Sequence, residues 1–215
     1  IGVRLVGSEM CIRDRISRSD RVRTNRLKDR IQLSELPKHV SIIMDGNRRF
    51  AWSKSSPVGL GHSEGKEKLK EVMDWVLDLG IPYFTVYALS TENISEREED
   101  ELDVLYDLYV SGLHEISEDP RIHDRGVRVQ VVGRLGMLPE RVRDAISHAE
   151  EVTSQYSDFT FTVCLAYGGR EEIIDAVKSV AIDHALGNLD IDSIDSTEIA
   201  NRMYASELPL SLIHI

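Results

Sequence analysis

Three short runs carry side chains whose types and spacing could do chemistry. Met44-Asp45-Gly46-Asn47-Arg48-Arg49-Phe50 sets a carboxylate, a glycine and two arginines where a strand should give way to a helix. A helix N-terminus reinforced by guanidinium groups is an anion site, and diphosphate is its natural guest. Asp45 could be a plain turn aspartate beside solvated arginines. A lone carboxylate among cations makes better sense as a ligand that holds Mg2+ against diphosphate oxygens. The second run, Gly61-His62-Ser63-Glu64-Gly65, opens the next predicted helix. There His62 could donate to a phosphate or shuttle a proton, although a loop histidine is more often structural. The third, Ser90-Thr91-Glu92-Asn93, follows a strand and gathers small polar groups that would serve equally well in turn and capping roles.

These runs need a frame that brings them to one place. Residues 39–44 (HVSIIM) form a short β-branched run followed by Asp45-Gly46-Asn47, which predicts a buried strand ending in a turn. Residues 64–79 carry Leu69, Val72, Met73, Val76 and Leu79 at helical spacing, with Gly80 as the stop. The alternation continues through strand 83–89, helix 98–118, strand 127–132, helix 139–156, strand 159–166, helix 171–186 and a short helix capped by Ser196. Strands separated by single helices predict an α/β fold: a mainly parallel sheet with helices on both faces. Ligands of such folds sit beyond the carboxyl ends of the strands, where all three runs fall. Cys164, inside FTFTVCLAY, reads as a buried strand thiol, and the acidic run 98–101 as a solvated helix start.

The composition bounds the function. The 215 residues hold Lys+Arg 26 against Asp+Glu 37, a net charge of −11, with 41% hydrophobic residues. That is too apolar for a disordered chain, and no run reaches the roughly 18 to 20 apolar residues of a membrane span. Cys11 and Cys164 cannot make a disulfide framework or a zinc site by themselves, which fits a reducing, cytoplasmic setting. Nine Lys/Arg against four acids in residues 1–30 form a basic leader, but the acidic body argues against a nucleic-acid partner. The stretches 6–14 and 210–215 resemble translated adapter sequence. The expected organisation is therefore a leader (1–30) of partly non-native origin, a catalytic domain (31–209) incomplete at its C-terminal side, and a non-native tail (210–215), all from a partial reading frame.

HVSIIMDGNRR, GHSEG, TVYALSTEN and AYGGREEI, in this order, resemble the cis-prenyltransferases, the undecaprenyl and polyprenyl diphosphate synthases. The resemblance covers residues 36–209 and looks most like archaeal members, which implies a geranylgeranyl diphosphate primer. It implies condensation of isopentenyl diphosphate with an allylic diphosphate, giving a long polyprenyl diphosphate with new cis double bonds for carrier-lipid synthesis. Asp45 matches the catalytic aspartate that binds Mg2+. Gly46, Asn47, Arg48, Arg49 and Phe50 match the loop around the allylic diphosphate, and His62 its histidine. Ser90, Thr91 and Glu92 match the next substrate segment, and Asn93 the proton acceptor. A homodimer and a peripheral membrane encounter for product release are also implied. The tunnel for the growing chain would run between the helix of Leu69, Val72, Met73 and Val76 and that of Leu102, Leu105, Leu108 and Tyr109.

The chain departs from the pattern in three places. Val58 replaces an arginine four residues before the histidine. Ile94 takes an aromatic place, and the following arginine is Arg97, one residue late; Glu96 is the ungapped alternative. After Ser206 to Pro209 the family continues with a strand and an arginine- and serine-bearing segment for isopentenyl diphosphate. The 215 residues do not contain it, so the expected fold lacks the C-terminal strands and the chain as given should elongate poorly. Two other readings compete. A haloacid-dehalogenase-type phosphatase needs a second aspartate where Asn47 stands. A non-catalytic subunit of a prenyltransferase complex tends to lose the DGNRR loop, which is intact.

Overall fold

The computed structural model describes residues 36–209 and 212–214, and the fold concerns the unit that begins at Pro37. The elements follow in the order β1 (His39–Ile43), α1 (Asn47–Ser53), α2 (Val58–Asp78), β2 (Tyr83–Tyr87), α3 (Thr91–Glu96), α4 (Glu99–Glu118), α5 (Pro120–Asp124), β3 (Val127–Val132), α6 (Glu140–Thr153), β4 (Phe159–Cys164), α7 (Gly169–Ala185), α8 (Ser196–Ala200) and β5 (Leu212–His214). All strand pairs are parallel, in the order β3-β4-β2-β1-β5. The predicted parallel α/β architecture is what forms.

The two faces of the sheet differ chemically because side chains alternate along each strand. On one face Phe84 and Val86 of β2, Phe161 of β4 and Val127 of β3 pack on Met73 and Val76 of α2 and on Ile122 of α5. The rings of Phe84 and Phe161 stack at 5.6 Å, as their paired register requires. Further along, Val129 and Val131 meet Leu105 and Leu113 of α4 and Val142, Ile146 and Ala149 of α6. The other face carries a polar row in which Ser41, Thr85 and Thr162 are in register. There the His39 ring bonds the Thr85 hydroxyl and the Pro209 carbonyl, both at 2.7 Å. Burial pushes the Cys164 thiol up to about 12, so it is an inert strand thiol.

Several element boundaries differ from the sequence expectation. Pro57 precedes α2, which begins at Val58 rather than at residue 64, so the GHSEG run lies inside the helix. The Ser90–Asn93 run is not a bare strand end: the Ser90 hydroxyl accepts the Asn93 N–H at 3.0 Å and caps α3. Asp195, one residue before Ser196, caps α8 by accepting the Glu198 N–H. Residues 212–214, expected in a non-native tail outside a fold without C-terminal strands, pair with Val40 to Ile42 as β5. The leader and the N-terminal adapter-like stretch lie outside the described residues. Among the described residues no helix is long and apolar enough to cross a membrane.

The phenylalanine pair gives a stability prediction. Phe84→Ala removes a ring with no exposure and should cost about 3–5 kcal/mol in urea unfolding, whereas Ile174→Ala, at an exposed helical position, should stay within about 0.5 kcal/mol. Equal losses for the two variants would contradict this placement of the core.

Candidate functional site

The site begins where β1 ends. Met44 N–H bonds the Tyr87 carbonyl at 3.0 Å, so β1 and β2 stay paired to their tips. Gly46 then takes φ +96°, a left-handed conformation that side chains resist, and turns the chain into α1. The Asp45 carboxylate stays in the open, 2.9 Å from the Arg49 guanidinium.

What holds α1 in place is the close approach of α2. A Cβ on Gly61 would lie 2.3 Å from the Asn47 carbonyl oxygen, and one on Gly65 would lie 2.7 Å from the Asn47 side-chain oxygen. The two glycines of GHSEG, one helical turn apart, are therefore a flat strip against which the first turn of α1 is pressed. Between them His62 turns toward α4, and its side chain is only 7% exposed.

There it meets Glu101, whose carboxylate is 14% exposed. One oxygen, Oε1, accepts from Arg97 Nη1 at 2.7 Å, lies 3.3 Å from His62 Nε2 and 3.6 Å from Arg48 Nε. Glu101 thus gathers groups from α1, α2 and the junction before α4. Desolvation lowers the pKa of His62 below 6.5, against the opposing pull of the Glu101 hydrogen bond, so the imidazole is neutral near pH 7. The Arg97 Nε–H is buried and finds no acceptor among the described residues.

Two cavities meet here. A cavity of about 210 Å³ is walled by Met44, Asp45 to Arg49, Trp52, His62 and Arg97. A second, of about 150 Å³, runs beneath it between α2 and α4 over the sheet; it shares Met44, Asn47, His62 and Arg97 with the first and is otherwise mostly apolar. An ionic compartment opening into an oily one suits a molecule with an anionic head and a hydrocarbon tail.

Comparison with known proteins agrees with this geometry. Residues 43–213 match the family model for undecaprenyl diphosphate synthase, Prenyltransf. The chain belongs to that family. It is 45% identical over 183 residues to the tritrans,polycis-undecaprenyl-diphosphate synthase (geranylgeranyl-diphosphate specific) of Pyrococcus horikoshii, covering 85% of this chain and 69% of that protein. It is 47% identical to the protein of the same name from Methanopyrus kandleri, covering 85% and 67%. Its fold is similar to that of lavandulyl diphosphate synthase from Lavandula x intermedia in complex with dimethylallyl diphosphate, with TM-score 0.72 and 32% identity, covering 79% of this chain and 71% of that one. Both sequence relatives are archaeal.

Measured against the expected family residues, the structure brings Asp45, Gly46, Asn47, Arg48, Arg49, His62 and Arg97 around one cavity. Phe50 lies outside it, 40% exposed under the Lys54 ammonium. Ser90, Thr91, Glu92 and Asn93 line neither cavity; they sit at the neighbouring strand tip, tied to the AYGG turn through Thr91 N–H on the Tyr167 carbonyl. Arg97, not Glu96, faces the cavities, and Val58 simply starts α2. Sequence reasoning passed over two participants. Trp52, stacked on Arg48 at 5.4 Å, carries an aromatic signal one turn after the arginine. Glu101 belongs to the acidic run read as solvated, and its only signal is its spacing from Arg97.

The neutral buried His62 fixes a pH dependence. Its folded pKa lies below the unfolded 6.5, so the unfolded chain takes up more protons as pH falls. The stability this group contributes is complete above about pH 6.5 and drains as pH drops from there through its folded value. His62→Gln should flatten the loss of urea stability between pH 7.5 and 5.5; an unchanged slope would show that His62 is not desolvated.

Proposed function

We propose that this chain performs cis-prenyl chain elongation, joining isopentenyl diphosphate to an allylic diphosphate, with geranylgeranyl diphosphate as the primer, to make a long polyprenyl diphosphate. The observation that carries the reading is the merging of the cationic and apolar cavities at Asn47, His62 and Arg97. The names of the archaeal relatives support both the reaction and the primer.

In this reading the allylic diphosphate lies in the upper cavity. Arg48, Arg49 and Arg97 neutralise it, and the first-turn amides of α1 from Asn47 onward are placed to donate to its oxygens, the Gly46 N–H being taken by Asp45 Oδ1. The unpaired Arg97 Nε–H finds its acceptor there. Neutral His62 spends its one N–H, at Nε2, on the Glu101 carboxylate, and so helps to hold in place the acid that positions Arg97 and Arg48. Ionisation breaks the C–O bond and loads charge onto the leaving diphosphate, and fixed donors stabilise that charge most where it is fully developed. The alkene of isopentenyl diphosphate attacks the allylic carbon, and a proton is lost from the neighbouring methylene. Asn93, on the adjacent strand tip, is the residue we assign to accept it.

Asp45 fits a hard divalent cation. Its carboxylate is exposed and lines the cavity, and Mg2+ characteristically takes one or two carboxylates plus phosphate oxygens rather than a full protein cage. No group of three or more acidic, histidine or cysteine side chains that could together hold a metal ion is found among the described residues. Mg2+ held there would supply further charge neutralisation to the leaving diphosphate. We further propose a homodimer that meets the membrane peripherally when the product leaves.

The test is a radiolabelled isopentenyl diphosphate assay with geranylgeranyl diphosphate, run on this chain and on one continued through the arginine- and serine-bearing segment typical of the family. The continued chain should form cis-polyprenyl product, lose it in EDTA, and lose at least about 100-fold in kcat on Asp45→Ala. Turnover indifferent to both would refute the assignment.

A further inference from the structure

The side wall of the apolar cavity is not closed by packed hydrocarbon throughout. On α2, Lys66, Lys70, Asp74 and Asp78 recur every fourth residue and face partners across the groove. Lys66 Nζ lies 2.6 Å from Glu115 Oε1 and 3.1 Å from the Ser111 hydroxyl, and Lys70 Nζ lies 2.7 Å from Glu115 Oε2. Deeper along α2, Asp74 pairs with Arg121 and Asp78 with Arg125. Only the first two rungs, Lys66 and Lys70, line the cavity, which ends near Met73. Opposite Lys66, α4 presents Gly112, and a Cβ there would touch only the Lys66 Cε, at 3.8 Å. At this level the wall is a lysine stem crossing a gap, clamped at its end by one carboxylate. Although desolvation opposes it, the hydrogen bonds from Lys66 and Lys70 keep the Glu115 carboxyl below its ordinary range, so the clamp is charged near neutrality.

The length of the cavity makes this wall matter. From His62 to Met73, α2 advances only roughly 16 Å at about 1.5 Å per residue. An extended geranylgeranyl chain already exceeds that. Each unit added by elongation pushes more tail than the closed cavity can hold, and solvent-exposed ion pairs give way easily.

We infer that the Lys66–Glu115–Lys70 bridge is a lateral gate, through which the tail of a growing prenyl chain leaves the cavity between α2 and α4, and that its closure helps to set product length. The inference rests on the elongation reading. Glu115→Ala opens the wall and should shift the product distribution to longer chains, and Glu115→Gln, which keeps the volume without the charge, should shift it the same way. Gly112→Leu plugs the gap and should shift it to shorter chains. Far-UV circular dichroism checks that each variant is folded. A second readout needs no turnover. Dissociation of non-ionising geranylgeranyl thiolodiphosphate should be about fivefold faster from Glu115→Ala than from the parent, while that of dimethylallyl thiolodiphosphate, whose tail is too short to reach Lys66, should be unchanged. All variants are made in the chain continued through the arginine- and serine-bearing segment, and a continued parent that binds these analogues but makes no polyprenyl product would overturn the elongation reading alone. Unchanged product lengths in an active parent and its variants, or equal acceleration for both analogues, would overturn the gate.

Discussion

Like charges must be held together before any ligand arrives. Arg48 and Arg97 converge on one cavity with Arg49 at its rim, and two cations at 4 Å repel by about 4 kcal/mol at an effective dielectric of 20. The Glu101 carboxylate is the counterweight. Because one of its oxygens serves Arg97, His62 and Arg48 together, it balances part of the repulsion while leaving guanidinium N–H groups unspent. Asp45 answers Arg49 in the same way at the rim. Two carboxylates against three arginines and a neutral histidine leave the cavity net positive inside a chain of charge −11. An incoming diphosphate completes a neutralisation that the protein leaves unfinished, so the array is preorganised rather than assembled on binding.

That arrangement tolerates little slack. Arg48 is on α1, His62 on α2, and Glu101 on α4, so the three helices must meet within the reach of a single carboxylate. The glycines at 61 and 65 bring α1 and α2 within backbone contact, and the shared face of the sheet fixes α2 and α4 side by side. Overpacking at such a contact typically costs 1–3 kcal/mol, but its larger consequence here would be angular, swinging Arg48 off the carboxylate.

Much of this was legible in the sequence because its signals are local. The order of strands and helices follows from hydrophobic periodicity, and DGNRR announces an anion site through residue type alone. GHSEG was legible as a motif but not as a helix interior, because glycines spaced for close packing look like a helix start when no partner is visible. Glu101 was hidden for the same reason. Its burial depends on Arg97, Arg48 and His62, and the last two are distant in sequence; among Glu98 to Glu101 only the spacing from Arg97 singles out Glu101, and that spacing does not show that it faces inward. Residues 212–214 show the opposite case. An alternating apolar run has little meaning alone, and takes its place only against the open edge of β1.

The joint that carries Arg97 shows where such an array can take up a change in length. Arg97 and Glu98 have extended backbones, ψ 150° and 146°, and form the joint between α3 and α4. A residue added within α4 would turn every later side chain by about 100°, taking Glu101 away from His62 and the Leu105 and Tyr109 stripe away from the cavity. In the joint, an extra residue is absorbed by backbone that follows no helical period. The face of α4 is then set by its packing on the sheet, and only Arg97 has to find its way back to Glu101. It does so across the joint at 2.7 Å, with its side chain 13% exposed. The position of the charge and the position of the tail are therefore specified separately: the joint sets where the arginine reaches, and the helix register sets which residues wall the oil.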